Sequence, residues 1–297
     1  MNLYFSVILP AYNTPPDILR RAINSVLNQT HPYIELIVVD DGSEPSLEPI
    51  VQAYSDERIV FIRHLENKGA GAAHNTGIKA AKYEWIAFIC HDDEWLKEKL
   101  EIQKEFIEKY SDYKFFYSGE YFVEKGNIVA NKYILNKYSQ NISDYENILI
   151  KVFLNTSTIV IHKEVFDKVG YYDETGVLID WDLYIRIFKN YEIFYIRHTL
   201  IYYYYSELGI THPNTIQAGE KVGNDMIKLF YKWKHEIKKY KLVRKSWSIR
   251  LNSIAKYFLE KKQHKNALKI YWESIKLNPF WIGSYIDLIK YIFLAKI

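Results

Sequence analysis

Residues 36–43 decide the fold, and they read Leu36-Ile37-Val38-Val39-Asp40-Asp41-Gly42-Ser43. The four aliphatic residues, three of which are β-branched, predict a buried β-strand. The two acids, the glycine and the serine that follow are typical of a turn. We therefore expect a strand that ends directly at two carboxylates.

Three other short apolar runs in the first third of the chain predict strands as well. They occupy residues 3–9, 59–62 and 85–89. Helical patterns lie between them: one helix opens at Pro15-Pro16-Asp17, and another covers residues 72–81. Strands that alternate with helices predict a parallel sheet with right-handed crossovers. Ligands of such sheets bind at the carboxyl ends of the strands.

The pattern becomes less regular after residue 95. We expect a helix from there to about residue 110, a helix over 181–188, and strands at 114–117 and 158–161. Residues 193–197 and 200–205 favour two further extended segments, whereas residues 119–150 give no clear pattern. From Gly219 onward the sequence predicts helices with basic faces. The expected fold class is α/β, with a mixed Rossmann-like sheet flanked by helices and followed by a helical C-terminal region.

The composition excludes several classes of protein. Of 297 residues, 48% are hydrophobic and 25% are charged, which argues against a disordered, collagen-like or low-complexity chain. The single cysteine, Cys90, excludes a disulfide framework and a four-thiolate zinc site. No apolar stretch reaches the roughly 18 residues of a membrane-spanning helix, and the first residues do not resemble a signal peptide. We therefore expect a cytoplasmic protein.

The net charge of +3 conceals two chemically different regions. Residues 216–297 hold 18 basic and 6 acidic residues, a balance of +12, whereas the residues before them hold 21 and 30, a balance of −9. The basic region also contains four of the seven tryptophans, namely Trp233, Trp247, Trp272 and Trp281. Two interpretations stay open: its aromatic residues pack against the rest of the chain, or it lies on an anionic membrane surface. Nucleic-acid binding is not expected, because no nucleic-acid module accompanies the charge.

Two acid pairs follow predicted strands, Asp40-Asp41 after the second and Asp92-Asp93 after the fourth. Strand ends of this kind share one crevice, so that carboxylates distant in sequence can meet at one ligand. Adjacent carboxylates repel one another, and a divalent cation that prefers oxygen ligands would relieve the repulsion. The alternative is that the first pair only forms a turn and the second only begins a helix.

Ordered motifs along the chain resemble those of family 2 glycosyltransferases of the GT-A fold. They are SVILPAYN at 6–13, SVLNQT at 25–30, ELIVVDDGS at 35–43, NKG at 67–69 with NTGI at 75–78, and DDEW at 92–95. A later stretch, DWDLYIR at 180–186, resembles the second acidic motif of that family. The resemblance covers roughly residues 3–212. It implies a GT-A fold and sugar transfer from a nucleotide sugar, but it does not identify the sugar or the acceptor.

The resemblance implies that a set of residues contacts the nucleotide-sugar donor: Ala11, Tyr12, Asn13, Asp41, Lys68, Asn75 and Asp92. Ala11 and Tyr12 would lie against the nucleotide base, and Asp41 would accept a hydrogen bond from the imide of that base. Two of these residues have simpler alternatives. Tyr12 could be an aromatic residue that covers a turn, and Lys68 could be a solvated loop lysine.

The resemblance also implies the chemical roles. Asp93, with Asp92 as a ribose or metal contact, would hold a divalent ion, Mg²⁺ or Mn²⁺, that bridges the diphosphate. Asp180 would be the general base that deprotonates the acceptor hydroxyl, although it could also be a plain helix N-cap. Asp182 is the weaker candidate for the base and fits a structural role. A single base suffices because attack opposite the nucleotide inverts the anomeric centre in one step.

The sequence departs from the family pattern in four places. Cys90 stands where the first acid of an Asp-x-Asp motif is usual, and Ile179 replaces the acid that usually precedes the base. His74 stands where an arginine is common, which puts a diphosphate contact there in doubt. Ser206 replaces a late histidine, for which the nearby His212 is a possible substitute.

These observations predict an inverting, metal-dependent glycosyltransferase that uses a nucleotide diphosphate sugar, with UDP-sugar favoured. The acceptor would be a saccharide or a glycolipid of cell-surface polymer synthesis. The alternative is a catalytically inactive protein that binds nucleotide sugars or acts as a scaffold. We expect a GT-A domain over 1–215, divided into a nucleotide-binding half (1–118) and an acceptor half (119–215), and a basic helical region over 216–297. The protein would be cytoplasmic, with peripheral contact to the inner face of the membrane as an option.

Overall fold

The computed structural model describes residues 2–132, 141–205, 220–281, 283 and 285–289. Its strands are β1 (Phe5–Ala11), β2 (Ile34–Asp40), β3 (Ile59–Arg63), β4 (Trp85–Phe88), β5 (Glu94–Trp95), β6 (Phe115–Glu124), β7 (Asn127–Lys132), β8 (Val160–His162) and β9 (Phe194–Tyr204). Its helices are α1 (Pro16–Leu27), α2 (Glu48–Gln52), α3 (Ala70–Ala80), α4 (Lys99–Lys109), α5 (Asp144–Ile150), α6 (Glu164–Val169), α7 (Ile179–Asn190), α8 (Glu220–Lys239), α9 (Lys241–Glu260) and α10 (His264–Leu277).

The chain forms two compact units. The first comprises Met1–Lys137 and Phe153–Gly209, and the second comprises Tyr138–Val152 and Ile210–Ile297. The residues around α5, which the sequence assigned to the catalytic region, therefore group with the C-terminal helices. The boundaries predicted at 118 and 215 stay predictions.

One mixed sheet organises the first unit, in the order β3-β2-β1-β4-β8-β6-β9-β5, with β7 paired to β6. The four strands from β3 to β4 are mutually parallel, as the strand–helix alternation predicts. Strand β8 then pairs antiparallel with both β4 and β6, which makes the sheet mixed. The expected fold class, a mixed α/β sheet flanked by helices and followed by a helical C-terminal region, is confirmed.

The core of the first unit follows from local sequence patterns. Strand β2 is buried along its whole length, as its run of branched aliphatic residues predicts. Helix α1 buries Leu19, Ala22, Ile23 and Val26, which recur at helical spacing and form one apolar face. Helix α3 comes close to β1 at Gly77, where any side chain would overlap Ile8. The glycine therefore sets the distance between this helix and the sheet.

The later part of the first unit differs from the expectation. The two extended segments predicted around residue 198 are one strand, β9, which pairs with β6 through register shifts on either side of Gly119. The region without a clear pattern contains the end of β6, strand β7 and helix α5. A short strand, β5, precedes α4, so the predicted helix begins at Lys99 rather than at Trp95.

The second unit packs α5 with the three C-terminal helices. Trp247 is fully buried, and its Nε1 donates a hydrogen bond to the carbonyl oxygen of Leu149 at 2.7 Å. Ser248 on α9 and Ser274 on α10 join their hydroxyls at 3.1 Å. Two of the four C-terminal tryptophans, Trp233 and Trp247, are thus buried, whereas Trp272 is 53% exposed. Among the described residues, no helix has both the length and the apolarity needed to cross a membrane.

Candidate active site

The two acid pairs lie at neighbouring strand ends. Asp40 is the last residue of β2 and Asp41 follows it, Asp92 and Asp93 come after β4, and β1 lies between these two strands in the sheet. All three strands are parallel, so their carboxyl ends share one edge of the sheet. The sequence therefore correctly predicted that both acid pairs belong to one edge.

Asp40 has a structural role in this turn. Its Oδ1 accepts the backbone N–H of Ser43 at 2.9 Å, and its Oδ2 accepts that of Leu47 at 3.2 Å. Arg63 Nε lies 3.6 Å from the same Oδ2. The turn interpretation thus describes Asp40, whose carboxylate is fully buried and satisfied by the protein itself.

Asp41 holds the glycine-bearing loop that precedes α3. Its Oδ1 is hydrogen-bonded to His64 Nδ1 at 2.6 Å and to the N–H of Lys68 at 2.9 Å, and its Oδ2 accepts the N–H of Gly69 at 2.8 Å. A carboxylate has about four acceptor positions, so one position on Oδ2 is left for a ligand. The predicted hydrogen bond to the imide of a base has room there and stays a prediction. The Lys68 side chain is exposed.

The loop after β1 is tied to the loop after β2. Asn13 has a positive φ of 47°. Its N–H donates to Ser43 Oγ at 2.9 Å, and its Oδ1 accepts the N–H of Glu44 at 3.0 Å. Ala11 is buried, whereas Tyr12 between them is 46% exposed. A fixed loop thus presents one exposed aromatic ring beside Asp41, whose N–H donates to the Ala11 carbonyl at 2.9 Å. The base contacts predicted for Ala11, Tyr12 and Asn13 stay predictions.

Asp93 is a fully buried carboxylate whose two oxygens differ. Its Oδ2 accepts a short hydrogen bond, 2.5 Å, from Ser157 Oγ, whereas its Oδ1 is buried without a hydrogen-bond partner in the described structure. Burial, and next the charge of Asp92, raise the pKa of Asp93 well above its usual range. Ser157 also accepts the N–H of Cys90 at 2.9 Å, so one hydroxyl clamps both ends of the acid turn. No pattern in the sequence indicates this role of Ser157.

The acid turn has a donor set that fits a divalent cation. One ligand atom from each of Cys90, Asp92 and Asp93 lies within 4.8 Å of the others. Carboxylate oxygens suit Mg²⁺ and Mn²⁺, and the Asp93 Oδ1 is a buried acceptor without a partner, for which a cation would compensate. Burial, and next the charges of Asp93 and Asp92, raise the pKa of the Cys90 thiol well above its usual range. The predicted ligands are therefore compatible with a metal, and their role stays a prediction.

Arg21 is a second residue at this turn that sequence reasoning missed. Its Nη2 donates to the backbone oxygen of Asp92 at 2.6 Å. The guanidinium lies 3.5 Å from the ring centroid of Tyr204, and the Tyr204 hydroxyl donates to Glu94 Oε2 at 2.7 Å. Helix α1 and strand β9 thus both hold the acid turn in place.

Asp180 lies in the first turn of α7. Its Oδ1 is buried without a hydrogen-bond partner in the described structure. Burial raises the pKa of Asp180, whereas the charge of His74 lowers it. Ile179, beside it, is buried in the core. Asp182 instead forms an ion pair with Arg186 at 3.0 Å, which fits the structural role expected for it.

His74 interacts electrostatically with Asp180. Its Nδ1 donates to the Ala70 carbonyl at 2.8 Å, because a carbonyl oxygen can only accept, and this leaves Nε2 for other contacts. The ring packs on Tyr172 with 4.8 Å between centroids. Burial lowers the pKa of His74, whereas the charge of Asp180 raises it. This histidine, in place of the usual arginine, therefore lies within electrostatic reach of the proposed base.

Asn75 anchors the segment that leads to α7. Its Nδ2 donates to the Tyr172 carbonyl at 2.9 Å and to Glu174 Oε1 at 2.8 Å, and its Oδ1 accepts the N–H of Tyr172 at 3.0 Å. A Cβ at Gly71 would lie 2.5 Å from the carbonyl oxygen of Asp173, so the segment passes directly over α3. The structure thus uses Asn75 for positioning, and its contact with the donor stays a prediction. Ser206 and His212 lie outside the described residues.

Comparison with known proteins adds independent information. The family model described as Glycosyl transferase family 2 matches residues 6–170. The putative teichuronic acid biosynthesis glycosyltransferase TuaG of Bacillus subtilis is 34% identical over 161 residues, which cover 54% of this chain and 62% of TuaG. The UDP-Glc:alpha-D-GlcNAc-diphosphoundecaprenol beta-1,3-glucosyltransferase WfaP of Escherichia coli is 35% identical over 125 residues, 42% of this chain and 49% of WfaP. The matches thus span about three-fifths and one-half of the lengths of these relatives.

The fold has close counterparts among solved structures. The crystal structure of Staphylococcus aureus TarS 1-349 in complex with UDP-GlcNAc aligns with a TM-score of 0.60 at 16% identity, over 92% of this chain and 91% of that chain. The same TarS fragment without ligand aligns with a TM-score of 0.61 at 17% identity, over 97% of this chain and 89% of that chain. With the sheet, the acid turns and the match over 6–170 in agreement, the chain belongs to glycosyl transferase family 2.

Proposed function

We propose that the protein is an inverting, metal-dependent glycosyltransferase that transfers a sugar from a UDP-sugar to a hydroxyl of a saccharide or glycolipid acceptor. One observation carries this proposal: one ligand atom from each of Cys90, Asp92 and Asp93 lies within 4.8 Å of the others, and the charge of Asp180 also raises the pKa of the Cys90 thiol. Two of these acids, Asp93 and Asp180, each have a buried oxygen without a hydrogen-bond partner in the described structure. Buried acceptors without partners destabilise a fold, and ligands are a common reason for them.

The residues divide the chemistry between them. A divalent ion held by Asp93 and Asp92 would stabilise the charge that develops on the departing diphosphate. Asp180 accepts the proton of the acceptor hydroxyl. The hydroxyl oxygen forms the new bond to the anomeric carbon, and the bond between that carbon and the phosphate oxygen breaks. The raised pKa of Asp180 moves it toward the operating pH of a general base, which contributes about 10²–10⁴-fold to such reactions. The helix N-terminus at Asp180 favours its ionised form.

The donor and acceptor classes draw support from the relatives. WfaP is named for UDP-Glc and a diphosphoundecaprenol-linked acceptor, and one TarS structure contains UDP-GlcNAc. TuaG is named for teichuronic acid biosynthesis. We therefore propose a UDP-sugar donor and an acceptor of cell-surface polymer synthesis, and the cytoplasmic location expected from the sequence is part of the proposal. The exposed ring of Tyr12 and the free acceptor position on Asp41 are the proposed contacts for the base, with Lys68 and Asn13 beside them.

The test is donor turnover with a panel of UDP-sugars in Mn²⁺ or in EDTA, for wild type, Asp180→Asn and Asp17→Asn. Asp17 is the matched control, since it is an exposed carboxylate in the first turn of α1. We expect EDTA to abolish turnover, Asp180→Asn to lower it at least about a hundredfold and Asp17→Asn to leave it unchanged. Full activity of Asp180→Asn would refute the proposed base. UDP-sugar binding without turnover on any acceptor would favour the inactive binding protein.

A further inference from the structure

The helical unit separates its charges by depth. Between residues 220 and 289, thirteen lysines are exposed but only two acids, Glu220 and Glu260, are exposed. The other acids are buried or half-buried: Asp225, Glu236, Glu273 and Asp287. Most of these carboxylates lie against lysine ammonium groups, for example Lys239 on Glu236 at 3.0 Å and Lys256 on Asp287 at 2.8 Å. The outer surface of these helices is therefore almost uniformly basic.

One face of this unit combines the lysines with exposed aromatic rings. Trp272 on α10 is 53% exposed, and Lys265, Lys269 and Lys276 share its side of the helix at spacings of seven, three and four residues. Lys269 Nζ lies 5.3 Å from the ring centroid of Tyr231 on α8, which is 37% exposed. We call this surface the α8–α10 face, and define it as Tyr231, Lys265, Lys269, Trp272 and Lys276.

We infer that the α8–α10 face binds an anionic lipid bilayer surface. Lysines are attracted to the headgroups of anionic lipids, and tryptophan and tyrosine rings prefer the boundary between headgroups and acyl chains. A basic helix that carries exposed tryptophan lies in the plane of that boundary. The inference rests on the proposed function only in its biological role, since membrane binding would hold the enzyme where a glycolipid acceptor is found.

The apolar groups favour lipid over other polyanions. Phe280, three residues beyond the end of α10, is 92% exposed, and Ile286 and Ile289 are 46% and 52% exposed. An acidic polysaccharide would interact with the lysines but would gain nothing from these aliphatic and benzyl groups. A bilayer surface attracts the lysines and also removes exposed apolar groups from water, in the first place Trp272 and Tyr231 on the α8–α10 face.

Vesicle co-sedimentation of the full chain, without nucleotide sugar, tests the inference. We expect binding to vesicles of phosphatidylcholine with phosphatidylglycerol, weakening with salt, and little binding to phosphatidylcholine alone. The variant K265Q/K269Q/K276Q should bind roughly a hundredfold more weakly, since each surface lysine contributes about fivefold. Trp272→Ser should weaken binding while the charge stays the same.

The matched control is K97Q/K109Q/K125Q, which removes three exposed lysines from the first unit. It should bind as the wild type does, with circular dichroism confirming that every variant is folded. Equal loss in the control, equal binding to both vesicle types, or binding to DNA or heparin but not to vesicles would each overturn the inference. Turnover on a soluble acceptor is measured separately, so a wild-type chain that turns over fully but does not bind vesicles would refute the inference and not the proposed function.

Discussion

Ser157→Ala is the substitution that most directly tests the design of the acid turn. The Ser157 hydroxyl accepts the N–H of Cys90 at 2.9 Å and donates to Asp93 Oδ2 at 2.5 Å. Because Oδ2 already accepts this hydrogen bond and Oδ1 has no partner in the described structure, Oδ1 is the more open oxygen of Asp93 for a ligand. The serine thus determines which oxygen of the carboxylate would face the proposed metal ion.

The expected effect has two parts. Removal of the hydroxyl leaves a buried N–H and a buried carboxylate oxygen without partners, which costs about 1–3 kcal/mol of folding stability. The carboxylate also loses its orientation, and residues that orient metal ligands typically change metal affinity by about 10–100-fold. We therefore expect a lower melting temperature and a Mn²⁺ dissociation constant raised by about one to two orders of magnitude.

The chain offers a closely matched control in Ser6→Ala. Ser6 is also fully buried, donates to a carboxylate, Glu35 Oε1, at 2.6 Å, and accepts the N–H of Tyr83 at 3.0 Å. It lies near the start of β1, whereas the acid turns follow the strand ends. Free Mn²⁺ can be counted by electron paramagnetic resonance, independently of activity. Ser6→Ala should lose similar stability and keep the Mn²⁺ affinity; unchanged affinity in Ser157→Ala, or equal loss in both, would refute the orienting role.

Three further predictions concern buried or stacked charges. Without divalent metal, Asp93→Asn should raise the melting temperature at pH 8, and this gain should disappear as the pH falls toward 4. The reason is that the pKa of Asp93 is raised, so ionisation of this buried carboxyl destabilises the fold. An equal gain in melting temperature at both pH values would contradict this. Arg21→Lys should weaken Mn²⁺ binding about tenfold, as measured by calorimetry. The reason is that a lysine cannot stack on the Tyr204 ring and at the same time donate to the backbone oxygen of Asp92. Unchanged Mn²⁺ binding would contradict this role of Arg21. Burial lowers the pKa of Lys99 well below its usual range, so the free energy of unfolding should rise with pH while Lys99 is neutral in the fold and charged in the unfolded chain. In Lys99→Met this rise, measured by urea denaturation at several pH values, should be smaller. An unchanged rise would argue that Lys99 is charged in the fold.

The parts of the fold that the sequence predicted are those fixed by short-range patterns. Strands β1 to β4 have branched aliphatic runs that end at turn residues, and α1 carries its apolar residues at helical spacing. Ser157 and Arg21 could not be found in this way, because they lie 64 residues from Asp93 and 71 residues from Asp92. Their roles exist only once the sheet has brought distant segments together. The sequence predicts two segments in place of the single strand β9, because register shifts against β6 interrupt the alternation of its residues.

The motif residues themselves divide into those that the protein satisfies and those that it leaves open. Asp40 and Asn75 spend their polar atoms on backbone groups and neighbouring side chains, and Asp41 keeps one acceptor position free. Asp93 and Asp180 instead keep a buried oxygen without a partner in the described structure, at a cost in stability that folding alone does not explain. Sequence motifs assign these five residues to one site, but their hydrogen bonds distinguish the residues that stabilise the loops from those whose oxygens are open to a ligand. The open oxygens of Asp93 and Asp180 are therefore where we expect the cation and the acceptor proton.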